Sequence, residues 1–291
     1  MSELLQYLFS GVTNGAIYAV IALGFCILYN ATELINFAHG EFVMLGGLAL
    51  VTFWQRMGLP LPVAFVCSVG AGAVAGFLFE RLAIRTVKKP EPIVLVIVTV
   101  GASILLRGAG MLIWGKDAYS VPPFTATPPI ELAGATITAQ SLWILGIVLA
   151  VSFALQGFFR KTLTGRAMEA CAISRKAAWL AGIPTGTMVL LSFIMSTGIG
   201  AMAGVIIAPI TMCSYDMGTM LGLKGFCAAM LGGLGSLWGG VVGGFLLGIL
   251  EAAGIGLVSS GFKDATAFLL LLLILYFRPS GLLGKRAIKR F

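Results

Sequence analysis

Continuous apolar runs of about twenty residues recur along this chain, and they restrict its fold more than any other feature. A hydrocarbon layer about 30 Å thick is crossed by roughly 20 apolar residues in helical form, because a helix satisfies its own backbone polar groups. Runs such as 94–106 and 265–277 carry no charge and no alternation of apolar with polar residues. A membrane β-barrel needs such alternation over segments of about ten residues, so helices are the expected solution. Composition agrees, with 59% of the 291 residues hydrophobic, 10% charged and a mean hydropathy of +1.02. A water-soluble domain carries about a quarter charged residues.

Spans are expected over 7–29, 38–56, 60–80, 93–114, 140–159, 187–209, 221–235, 237–257 and 262–277. The fold class is therefore all-α and polytopic, with about eight to nine transmembrane helices in a single transmembrane domain covering 1–291. Fourteen of the nineteen Lys and Arg residues lie in three segments: 81–89, 160–176 and 278–290. The positive-inside rule places all three in the cytoplasm, and their position at span ends accounts for them without nucleic acid. Loop 116–139 has one Lys, two acids and four Pro, which suits the periplasmic side. These anchors put the N-terminus outside and the C-terminus inside, which requires an odd number of crossings. Eight plain helices break that parity. Either the glycine-rich joint Gly232, Gly233, Leu234, Gly235, Ser236 turns the chain, or a re-entrant segment lies near 31–45. Irregular backbone at membrane depth is tolerated only inside protein or beside a cavity, so either element would be internal.

The N-terminus has no basic stretch ahead of its first apolar run, so that run reads as a span rather than a cleaved signal. Five cysteines occur singly, which suits packing residues and not a disulfide framework or a metal site. Pairs of glycine four apart (11/15, 72/76, 200/204, 240/244 and 244/248) suit close helix packing where lipid removes the hydrophobic drive. No P-loop, HExxH or GxSxG in a strand–turn–helix setting occurs, so catalysis within the chain is not expected.

Three segments carry polar chemistry. Residues 160–184 form a cytoplasmic loop, helix-permissive from Arg166 to Ala181 and closed by Gly182 and Pro184. It reads either as a docking helix or as an interfacial helix whose basic residues face headgroups. Asn36, His39 and Glu41, preceded by Glu33, stand beside apolar spans; if helical, Glu33, Asn36 and Gly40 share one face. Ionisable groups there are costly unless paired or facing a cavity, so they are candidates for the bundle interior or a solute path. The plainer alternative is that Asn36 and Glu41 cap helix ends and His39 supplies a hydrogen bond. Arg107 lies about 10 Å from the outer end of its span, near enough to snorkel outward or to pair structurally. Turned inward, it would suit a solute carboxylate.

Taken with Ile35–Glu41, Gly165–Met168, Ala181–Ile183, Leu231–Ser236 and Phe277–Gly284, the chain resembles the permeases of branched-chain amino-acid ABC importers, closest to the H-type (LivH-type) permease. The resemblance runs through most of the chain. It implies translocation of branched-chain or related amino acids across a bacterial inner membrane, urea, short amides and other small carboxylates being further substrates of the family. It implies a second, LivM-type permease, two ATP-binding subunits that hold ATP and magnesium, and a periplasmic binding protein. No cofactor or metal is implied in this chain, and ATP hydrolysis belongs to the partners. The spacing Lys176–Gly182 is similar to the family's EAA---G coupling loop, with Lys in place of its Glu. By that likeness Gly165, Arg166, Glu169, Ala177, Ala178 and Gly182 carry coupling to the ATPases. An ion-coupled secondary transporter is the alternative, motivated by Glu33, His39, Glu41 and Arg107 near or within spans.

Overall fold

The computed structural model describes residues 2–88, 91–132, 134–257, 263–278 and 280–284. Eleven helices are present among them: α1 (Ser2–Thr32), α2 (His39–Leu50), α3 (Leu61–Phe79), α4 (Pro92–Trp114), α5 (Ala139–Lys161), α6 (Leu163–Ile173), α7 (Arg175–Leu180), α8 (Thr185–Ile207), α9 (Met217–Gly232), α10 (Leu237–Leu257) and α11 (Lys263–Phe277). Wider π-helical turns extend α2 through Val51–Arg56 and α3 through Glu80–Ile84. Six helices are long and apolar enough to cross a membrane, namely α1, α3 with its extension, α4, α5, α8 and α10. The remaining expected spans are shorter helices. Segment 38–56 is α2 with its π turn, while 221–235 and 262–277 fall in the 16-residue α9 and 15-residue α11. One departure from all-α is a hairpin in the 116–139 loop, where β1 (Ile130–Leu132) pairs antiparallel with β2 (Ala135–Ile137).

The core is built around α1, which is buried through most of its length. Its Gly11 and Gly15 meet α10, so that a Cβ at Gly15 would lie 2.8 Å from the Phe245 Cα. From the other side Gly240, Gly244 and Gly248 face Ala22, Ala19 and Gly15 in turn, which makes α1 and α10 antiparallel. Gly72 and Gly76 of α3 likewise meet Ala201 and Thr197 of α8, and Gly200 and Gly204 of α8 meet His39 and Val43 of α2. Backbones without Cβ atoms approach closely, and dispersion then replaces the hydrophobic drive.

One end of the bundle is tied together by the loop between α4 and α5. Thr136 donates its N–H to Gln6 Oε1 (2.8 Å), Gln55 Nε2 donates to the Ser120 carbonyl (2.8 Å), and Tyr119 bridges to Cys213. The opposite end carries α6, α7 and the turn between α9 and α10. There Leu282 and Leu283 donate their N–H groups to the carbonyls of Leu231 and Gly232, each at 2.9 Å.

Two interruptions matter for the site. Residues 33–38 are not helical, and Glu33 takes φ 55, the only positive φ outside glycine among the described residues. Glu33, Asn36 and Gly40 therefore do not share a helical face. Glu33 is exposed, whereas Asn36 and Gly40 are buried. The His39 ring packs against Gly24, eight residues before the end of α1, so α2 begins about 12 Å inside the bundle. The second interruption is at Gly233 (φ 106) and Gly235 (φ 90), left-handed conformations that glycine adopts without steric cost. The chain reverses there, which brings Gly232 against Gly239 and Gly243 against Ala228.

Candidate functional site

At its inner end α2 is held by local hydrogen bonds that replace a missing helix. The Asn36 side-chain oxygen accepts from Ala38 N–H (3.0 Å), and the Thr32 hydroxyl accepts from Leu34 N–H (3.2 Å). Neither Asn36 nor Glu41 caps the helix, since the N-cap is Ala38 and no side chain fills that role. Asn36, His39 and Glu41 are all buried, each about 1% exposed or less. His39 Nδ1 lies 3.3 Å from the Ser196 hydroxyl, and its ring meets Phe25 edge-on.

Glycines bring Glu41 to its partners. Gly40 faces Gly218 and Gly222, so α2 and α9 cross at backbone contact and the next residue reaches α9 and α4. Glu41 Oε1 accepts from Ser103 Oγ of α4 (2.9 Å) and Thr219 Oγ1 of α9 (3.1 Å). Thr219 in turn accepts from Arg107 Nη1 (3.3 Å). Arg107 thus reaches the first turn of α9, a contact compatible with a side chain directed to the outer end of its span. It joins Glu41 through one hydroxyl, with no direct ion pair between them. Asn36 Nδ2 and Glu41 Oε2 are buried and find no hydrogen-bond partner among the described residues.

A second polar contact was not anticipated from sequence. Lys224 Nζ of α9 meets Glu251 Oε1 of α10 at 2.9 Å, with both side chains buried, and lies 5.7 Å from the Tyr18 ring centroid. A signal for it existed. Lys224 is the sole Lys, Arg, Asp or Glu in the α9 sequence and Glu251 the sole one in α10. Opposite charges alone in neighbouring apolar runs are each too costly unless they pair.

At the other end, the segment expected as one helix from Arg166 to Ala181 is two. Ser174 is extended (φ −159, ψ 105), and its hydroxyl accepts from Ala177 N–H to start α7. A serine that bonds its own backbone competes with helix continuation. Gly165 lies against Phe158 and Phe159, where a Cβ would be 2.6 Å from the Phe159 Cα, so it allows α6 to fold back on α5. Arg166 donates to the Arg160 carbonyl from Nε (3.3 Å) and Nη2 (3.1 Å), closing the end of α5. Those two residues form a corner. Glu169, Ala177 and Gly182 are exposed, and Ala178 is buried beneath α7. Trp179 and Leu180 project outward, 67% and 70% exposed. Gly182 (φ 82) ends the segment, and Ile183 N–H returns to the Ala178 carbonyl.

Residues 7–277 match the family described as branched-chain amino acid transport system / permease component. Over 299 aligned residues the chain is 33% identical to the high-affinity branched-chain amino acid transport system permease protein BraD of Pseudomonas aeruginosa, covering 98% of this chain and 97% of that protein. The same identity and coverage hold for the permease protein LivH of Escherichia coli. It is also 28% identical over 262 residues to the galactofuranose transporter permease protein YtfT of Escherichia coli, covering 86% of this chain and 72% of the relative. With several apolar helices of spanning length and this match along nearly its whole extent, the chain is a multi-pass membrane protein and belongs to the branched-chain amino acid transport system permease family.

Proposed function

We propose that the chain is the solute-conducting subunit of an ATP-driven importer of branched-chain or closely related amino acids in a bacterial inner membrane. In this reading α6, α7 and the C-terminal residues face the cytoplasm, the β1–β2 loop faces the periplasm, and nine passages join them. The observation that carries it is α7. A six-residue helix at the basic end of a membrane protein presents Trp179 and Leu180 to its surroundings, where lipid headgroups or a docked protein would cover them, and the match to a transport-system permease family favours the protein. The partner that fits is an ATP-binding subunit. Two such subunits would hold ATP and magnesium, a second permease would complete the pathway, and a binding protein would deliver solute at the loop end. Purification through a tag on the chain is expected to recover an ATPase and a second permease, and recovery of neither would sink the reading. The likeness to a galactofuranose permease shows that solutes vary among relatives. Ligand identification on the cognate binding protein decides between amino acids and the wider set of urea, amides and small carboxylates.

The unpartnered buried oxygen of Glu41 favours a second reading, coupling to protons or sodium. Uptake that persists on an imposed ion gradient after ATP depletion would favour that reading over the first.

A further inference from the structure

Glu41 and Arg107 bear opposite charges but are separated by the Thr219 hydroxyl, although a direct ion pair would cost less in a membrane. Glu41 Oε1 is fully engaged by Ser103 and Thr219, while Oε2 is buried and lacks a hydrogen-bond partner. A carboxylate oxygen left so at membrane depth is costly unless it takes up a proton or a cationic group reaches it. Arg107 is only half-buried and has guanidinium donors beyond the one given to Thr219. Beside this pair, one face of α9 stays open: Thr219, Met220 and Leu223 are exposed and follow helical spacing toward Phe226, which meets the exposed Phe37 at 5.8 Å. The face is polar where Thr219 and the half-buried Arg107 meet, with Glu41 buried behind Thr219, and apolar along the two turns leading inward from them. An arginine and a threonine are poorly suited to face lipid chains, so this flank belongs to the interior of the assembled transporter.

From this arrangement we infer that Glu41, Thr219 and Arg107 form a two-pole contact for a zwitterion in transit. The solute's ammonium is taken at Glu41 Oε2, its carboxylate at the Arg107 guanidinium, and its apolar side chain lies along Met220, Leu223 and Phe37. Charge complementarity selects an α-amino acid, and the apolar strip selects an aliphatic side chain among them. The inference rests on the importer reading above and assigns the groups that meet the solute within it.

The complete importer, reconstituted in vesicles with its ATPases, second permease and binding protein, is assayed with radiolabelled L-leucine outside and ATP inside. The quantity read is leucine moved per ATP hydrolysed. Glu41→Gln and Arg107→Gln are each expected to lower that ratio about tenfold or more, as loss of one charged contact commonly does. Leu223→Trp, at an exposed position where folding is little affected, is expected to lower it comparably by filling the strip. Arg107→Lys should recover part of the loss, because a point charge replaces only half of a bidentate contact. An unchanged ratio in Leu223→Trp, or in both charge variants, overturns the two-pole site while leaving the importer intact. Wild-type vesicles that move no leucine, isoleucine or valine on ATP instead overturn the underlying reading. If Glu41→Gln fails to assemble, Thr219→Val and Leu223→Trp decide the matter on their own.

Discussion

The Lys224–Glu251 pair is the feature whose energetics are easiest to state at the level of single residues. Both groups are buried, their atoms are 2.9 Å apart, and they sit on the two arms of the α9–α10 hairpin. Removing one member leaves a buried charge uncompensated, at a cost of about 3–5 kcal/mol. Lys224→Met or Glu251→Leu alone is therefore expected to lower the unfolding temperature markedly in detergent. The double variant Lys224→Met with Glu251→Leu should recover most of the loss, since a well-packed apolar pair of similar volume is often neutral or better. Equal losses in single and double variants would show that the pair contributes through something other than charge neutralisation. Arg107 illustrates the limit of reading a residue by depth alone. Its distance from the span end permits snorkelling, and Thr219 in the first turn of the neighbouring helix offers an acceptor. A snorkelling side chain and an inward one have identical sequence neighbours, and only the rotation of α4 against α9 separates them.

Among the elements, α6 and α7 are the best test of the coupling proposal. Gly182 adopts φ 82 with open space around it, so Gly182→Ala meets backbone strain but no clash, costing about 1–2 kcal/mol. Ala178 is buried, so Ala178→Trp should unseat α7 from the bundle, whereas Trp179→Ala should leave the fold alone. On the proposed function, Trp179→Ala weakens retention of the ATPase during purification by about tenfold, because exposed aromatic anchors dominate such interfaces. Wild-type retention would remove Trp179 from the docking surface. Helix packing gives a second prediction. Gly244→Val forces a branched side chain into the Ala19 backbone, and rigid backbone on the other side cannot yield. It is expected to destabilise the α1–α10 contact by about 3 kcal/mol or more, measurable as loss of folded protein in detergent. Gly101→Val at an open position serves as the control.

For the whole molecule, sidedness is the property to measure. Ser120→Cys in the loop end and Lys176→Cys at the α7 end should react with an impermeant maleimide from opposite sides of intact cells, the first without permeabilisation. Labelling of both from outside would refute the arrangement proposed here. Much of the architecture is legible before any coordinates. Apolar run length exceeds what water-soluble packing permits, so a helical membrane protein follows from the chain alone, as do the glycine pairs that face one another in the bundle. The turn at Gly232–Ser236 is equally local, since glycine acts on its own backbone, although the sequence offers it only as an alternative to a re-entrant segment near 31–45. Break points in α6–α7 were less legible, because Ser174 is tolerated in a helix unless its hydroxyl finds a backbone donor. What only the tertiary structure decided is which polar groups meet. Glu41, Ser103, Thr219 and Arg107 come from three helices, and Lys224 and Glu251 from two. Composition and spacing determine that each ionisable group in an apolar run needs a partner, because solvation there is costly. Which partner it finds depends on how the helices rotate and cross, and glycines such as Gly40 and Gly218 set that crossing only once their backbones are in contact.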